Sequence, residues 1–177
     1  MELSKIFIVR PGIQYEAAFR RAFADYVAAG ESNYVENYAP GTENFARYVQ
    51  TLVDYEQVRN MRESWVPSTT RWLLNESNEI AGFVRVRHCL NEALLQKSGH
   101  IGYDVPPSQR QKGYGHACLR AAIDIARELS LPKVLLTCDS DNQPSRKVIE
   151  AAGAKFLDEI IPAGESMSIH RYWLNIE

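Results

Sequence analysis

Twelve consecutive residues, Val105-Pro106-Pro107-Ser108-Gln109-Arg110-Gln111-Lys112-Gly113-Tyr114-Gly115-His116, carry the chemistry most legible in this chain. They leave an apolar strand, cross a basic loop and open an amphipathic helix. Gly113 and Gly115 let backbone amides converge without Cβ obstruction, and a helix start adds partial positive charge. Arg110 and Lys112 place full charges beside those amides. Such a donor set suits a pyrophosphate, so the loop is expected to hold a phosphorylated carrier at the edge of a sheet. A dinucleotide fold would need G-x-G-x-x-G after the first strand, and here Gly113-Tyr114-Gly115 is followed by His116-Ala117-Cys118. A nucleoside triphosphate loop fails too, because G-K-[S/T] is absent.

The other chemistry-bearing residues are scattered. Arg87, His88 and Asn91 cluster before the strand that feeds the loop. Successive strand residues face opposite ways, so Arg87 or Asn91 is the better candidate for binding an acceptor. Asp139-Ser140-Asp141-Asn142 is a helix cap, with Asn142 the capping side chain. The Tyr-rich stretch Ser32–Tyr38 either shapes a pocket or is a mobile connection. Cys138 has no neighbouring His and reads as a small core residue. No Cys-x-x-Cys or His-Glu-x-x-His pattern calls for a metal.

The elements that must position these groups follow from hydrophobic spacing. Strands are expected at Ile6–Val9, Ser68–Leu74, Ile80–Arg87, Gly99–Val105, Val134–Cys138, Lys155–Ile161 and Met167–Asn175. Helices are expected at Ile13–Ala28, Glu43–Val58, Tyr114–Leu129 and Gln143–Ala152. Glu31–Thr42 and Asn91–Ser98 read as loops, Asn75–Asn78 as a turn, and Gly30 and Gly153 as helix stops. The crossover through Tyr114–Leu129 makes its flanking strands parallel, whereas the earlier strands meet by turns and can be antiparallel. The sum is an α/β fold, a mixed sheet with helices on both faces.

Bulk properties fit one soluble domain. The chain has 177 residues, 45% hydrophobic and 24% charged, with a net charge of −2 and no basic run, which argues against nucleic acid as a partner. No segment suits a membrane span, and Met1-Glu2-Leu3-Ser4-Lys5 lacks the apolar core of a secretory leader. The three separated cysteines read as reduced thiols of a cytoplasmic protein.

The pattern Arg110-Gln111-Lys112-Gly113-Tyr114-Gly115 resembles the coenzyme A loop of the GNAT acetyltransferase superfamily, Q/R-x-x-G-x-G/A. Val105-x-Pro107 before it, Asp141-Asn142-Gln143-Pro144-Ser145 and Gly153-Ala154-Lys155-Phe156 after it, and the element order over nearly the whole chain agree. Val66–Thr70, Arg87–Asn91, Gly99–Tyr103 and Arg171–Trp173 resemble a bacterial branch of predicted acetyltransferases. The resemblance implies a single domain over residues 1–177 with a splayed sheet of about seven strands. It implies N-acetyl transfer from acetyl-CoA to a primary amine, small-molecule or peptide, by direct attack in a ternary complex.

Of site residues the resemblance implies the following. The backbone of Tyr103, Asp104 and Val105 holds the pantetheine arm, opposite Thr137 and Cys138. Arg110, Gln111, Lys112, Gly113, Tyr114, Gly115 and His116 hold the pyrophosphate, and Asn142 and Ser145 flank the cofactor. His100 occupies the strand position where relatives place a water-linked Glu, and is expected to be the base. The tyrosine expected as acid falls on Ile149, leaving Ser145, Tyr103, Tyr172 or water. That substitution also admits a non-enzymatic acyl-CoA sensor. The resemblance leaves open whether the chain pairs as a homodimer.

Overall fold

Two antiparallel sheets meet edge to edge, and the line where they meet is where the sequence places its loop. The computed structural model describes residues 5–176. Met1–Ser4, read above for a leader, and Glu177 lie outside them. The first sheet orders β1 (Phe7–Val9), β2 (Ser68–Leu74), β3 (Ile80–Arg87) and β4 (Ile101–Asp104); the second orders β5 (Lys133–Asp139), β7 (Ile169–Asn175) and β6 (Lys155–Ile160). All seven expected strands are present, but the expected mixed sheet is divided, because no ladder joins β4 to β5.

β2 and β3 are buried along almost their whole length, the pattern of strands covered on both faces. On one face α5 (Tyr114–Glu128) packs Cys118, Leu119, Ala122 and Ile125 against Leu73, Val84, Val86 and Ile101, and this core continues to Val134, Leu136, Ile149 and Tyr172 of the second sheet. The other face carries α1 (Glu16–Ala28), α2 (Ser32–Glu43) and α3 (Phe45–Glu56), whose Phe19, Tyr26, Tyr38 and Phe45 pack on Trp72 and Phe83. Burial of such side chains contributes about 1.5–3 kcal/mol each, which outweighs weak helix propensity.

That burial explains the one large departure from the pattern reading. The stretch Glu31–Thr42, expected as a loop, is mostly helix α2 (Ser32–Glu43), with Pro40 in its last turn. Tyr34 stacks on Tyr26, and Tyr38 stacks on both Tyr26 and Phe83. Gly41 is needed for the close approach, since a Cβ there would stand 2.5 Å from Phe19 Cζ. A short helix, α4 (Glu92–Gln96), also interrupts the connection before β4. The last helix, α6 (Gln143–Ala151), follows β5 as expected.

Candidate active site

Gly113 has φ +86° and caps α5 in the left-handed conformation, while Gln111 has φ +60°. These turns aim the loop amides outward. No backbone N–H from Gln111 through His116 donates to any group among the described residues, and neither does the Val105 N–H. Six successive free donors at a helix start form an arrangement able to hold an anion.

The loop's cations behave differently from expectation. Arg110 forms a two-pronged pair with Glu31 at 2.6 and 2.7 Å and donates from Nε to Val105 O at 3.0 Å. Its guanidinium therefore ties the loop to the α1–α2 junction and is neutralised there. Lys112 Nζ donates to Ser108 O at 2.8 Å and Gln109 Oε1 at 3.2 Å, both uncharged, so its charge stays available. Tyr114 is buried and His116 is exposed.

β4 and β5 are stitched at one end only. His100 N–H donates to Leu135 O at 2.8 Å, and Leu135 N–H donates to His100 Nδ1 at 2.9 Å. Beyond that pair no hydrogen bond joins Tyr103–Val105 to Thr137–Cys138. The gap is the expected one, but the role expected of His100 is not. Its Nδ1 lone pair is taken by an amide, which fixes the proton on Nε2, and burial with nearby Arg87 depresses its basicity further. His100 extends the backbone ladder across the seam; it has no lone pair left to act as a base.

The carboxylate at the mouth of the gap belongs to Asp104, expected above only for its backbone. Its side chain points to the α1–α2 face, where Tyr26 OH and Tyr38 OH both donate to it, the latter at 2.6 Å. Burial pushes Asp104 up to about 6, against the opposing pull of the two tyrosines, Arg85 and Arg110. Both tyrosines are held protonated, first by burial and then by the carboxylate. Asp104 lines a cavity of ≈ 190 Å³ with Tyr34, Tyr38, Tyr48, Arg85 and Arg87. The sequence signal was an acidic residue inside an otherwise apolar strand.

On the opposite face Tyr103 OH lies 3.3 Å from Ser145 Oγ, spanning the gap to the start of α6. Burial pushes the phenol up to about 12, so it keeps its proton at neutral pH. Asn142 caps α6 by accepting from Ser145 N–H at 3.1 Å, leaving its NH₂ group free. Tyr172 is buried, its hydroxyl 3.4 Å from His170 Nδ1, and borders none of the clefts beside Asp104; it is a packing residue. Ile149 is 1% exposed within the core. Burial pushes the Cys138 thiol up to about 11, which disables it as a nucleophile.

The acceptor candidates divide. Arg87 donates from Nη1 to Ser98 O and Gly99 O, at 3.2 and 3.1 Å, and burial beside Arg85 brings it down to about 10. It nevertheless borders the Asp104 cavity and a second cleft of ≈ 250 Å³. Asn91 is consumed in structure: Oδ1 accepts from Leu94 N–H, and Nδ2 donates to Ser64 O, both at 3.0 Å.

A splayed pair of sheets, a free-amide loop at a helix start and a carboxylate-lined cavity define a class, and comparison with known proteins names it. A family model described as the Acetyltransferase (GNAT) domain matches residues 21–155. The chain belongs to the GNAT acetyltransferase family, and is by class an acetyl-CoA-dependent acyltransferase. Among solved structures it is similar to the ribosomal L7/L12 α-N-protein acetyltransferase RimL in complex with coenzyme A, at 16% identity and TM-score 0.71, covering 99% of this chain and 97% of that one. It is also similar to the ribosomal-protein-S5-alanine acetyltransferase of Vibrio fischeri (14%, TM-score 0.70, 100% and 95% covered). A third, the microcin C7 self-immunity acetyltransferase MccE in complex with acetyl-CoA and AMP, gives 14%, TM-score 0.69, and 97% and 93% covered. A search of curated protein sequences found no significant match. No helix among the described residues is long and apolar enough to cross a membrane.

Proposed function

We propose that this protein transfers acetyl from acetyl-CoA to a primary amine by direct attack, with both substrates bound together, and that Asp104 is the base. The observation that carries this reading is the run of free amides from Gln111 to His116, opening beside the gap between β4 and β5 and next to a buried carboxylate. Solved structures of the same fold hold coenzyme A or acetyl-CoA, which supports the choice of carrier.

Acetyl-CoA supplies the activated acyl group; this chain's residues bind, orient and move protons. The Gln111–His116 amides and Lys112 hold the diphosphate. The open edges of Tyr103–Val105 and Thr137–Cys138 offer strand-like hydrogen bonds to the pantetheine amides, and the Asn142 NH₂ at the start of α6 is a further free donor. Asp104 accepts the proton of the acceptor ammonium; a base is most effective when its pKa lies near working pH, and Asp104 lies near 6. The Val105 N–H stands free for a developing oxyanion. Tyr103, backed by Ser145, holds the proton needed by the departing thiolate.

Thiol release from acetyl-CoA across a panel of amines, with acetyl-CoA affinity measured by calorimetry, tests the proposal. Amine-dependent release is expected. Tight binding with no amine raising release above hydrolysis would instead favour an acyl-CoA sensor, consistent with Ile149 in place of the expected tyrosine. Failure of acetyl-CoA to bind would remove both.

A further inference from the structure

The cavity at Asp104 holds buried polar groups with nothing to bind. Among the described residues, the buried side-chain atoms lacking a partner are Thr70 Oγ1 and Trp72 Nε1, and both residues line this cavity. Thr70 is 6% exposed and Trp72 0%, so solvent does not readily satisfy them. Native interiors rarely leave such groups orphaned. The side chain of the half-buried Arg85, bordering the same cavity, also makes neither hydrogen bond nor ion pair among the described residues.

The ladder places these groups on one face. Thr70 stands opposite Arg85, Trp72 opposite Phe83, Phe83 opposite Asp104, and Arg85 opposite Gly102. Directly opposed residues share a side of the sheet, and diagonal neighbours such as Arg85 and Asp104 lie roughly 7–8 Å apart. Gly102 leaves the space beside Arg85 open. The indole N–H and the guanidinium are donors only, and a threonine hydroxyl can donate. Three donors, one of them cationic, fit a compact anion. At the other end the Asp104 carboxylate fits an ammonium. The ≈ 190 Å³ volume suits a small molecule.

We propose that the acceptor is a small primary amine that also bears a carboxylate, held by Arg85, Trp72 Nε1 and Thr70 Oγ1 while its amine faces Asp104. This rests on the transferase reading and narrows it from any amine to amino acid-like zwitterions.

The test compares free α-, β- and γ-amino acids with their carboxamides and decarboxylated amines. It measures kcat/KM for thiol release and, independently, binding by calorimetry to protein saturated with CoA. At least one free acid is expected to exceed its amide by about 100-fold or more, because a site built for a polar group rejects analogues lacking it. Arg85→Gln and Trp72→Phe are each expected to cut that ratio at least about tenfold, with acetyl-CoA affinity reporting on folding; Thr70→Val gives a third, isosteric arm. Turnover or binding of amides equal to that of the acids would overturn the subsite while leaving acetyl transfer standing. So would an undiminished ratio in the variants. Selective binding of acids without thiol release would support the subsite and count against transfer.

Discussion

Replacing Asp104 with asparagine separates its chemistry from its shape. The amide is isosteric and keeps an oxygen for one tyrosine, but it cannot take a proton. Removing a positioned base commonly costs about 10²–10⁴-fold in rate, so the Asp104→Asn variant is expected to lose that much kcat/KM at pH 7.5. The wild-type profile should rise through an acid limb near 6, where Asp104 ionises, and the variant's limb should vanish. Stability gives a second readout of opposite sign. Burial raises Asp104 from 3.8 to about 6, so between those values the folded chain retains a proton that the unfolded chain has released. Its contribution to stability therefore falls as pH rises through that window, by roughly 3 kcal/mol in all. The difference between wild-type and variant unfolding free energies, followed by urea titration from pH 4 to 7, should show that decline. A variant retaining more than about a tenth of wild-type activity, or a limb near 6 that survives the substitution, would refute Asp104 as the base.

Other perturbations have equally definite outcomes. Gly113→Ala puts a Cβ at φ +86°, a conformation costing about 1–2 kcal/mol outside glycine, and acetyl-CoA affinity by calorimetry should fall at least about tenfold. His100→Ala removes the acceptor of the Leu135 N–H and should cost about 1–3 kcal/mol in denaturant unfolding. Because burial lowers the His100 pKa below its ordinary 6.5, its contribution is full above that pH and is lost on acidification; the variant's deficit should shrink as pH falls. Tyr103→Phe should lower kcat by about tenfold or more with little change in acetyl-CoA affinity, and an unchanged kcat would pass the acid role to water.

Local pattern carried the strands and the loop because each depends on neighbours in sequence. β2 and β3 match their expected bounds, and Gly113 adopts the left-handed turn that its place before a helix suggests. What depended on distant partners was harder to see. Ser32–Glu43 has loop composition, yet Tyr34 and Tyr38 find ring contacts on α1 and β3 that local propensity does not encode. Arg110 reads as a phosphate ligand until Glu31, 79 positions away, is found beside it. His100 and Asp104 lie four residues apart on one strand, and the sequence offers no way to tell which faces a neighbouring amide and which faces a cavity. The answer depends on where β5 and α1–α2 pack. Ser68–Thr70 read simply as strand, and only the register shows that Thr70 and Arg85 stand opposed.

The His100–Leu135 stitch joins β4 to β5 at one end of their seam, above a core that α5 shares with both sheets. From His100 to Asp104 the strand runs about 13 Å. A swing of about 5° at the join would therefore displace the far end by about 1 Å, and misplacement on that scale can cost about a hundredfold in rate. Selection on turnover could thus act on residues that never meet either substrate, through the angle at which the two sheets meet.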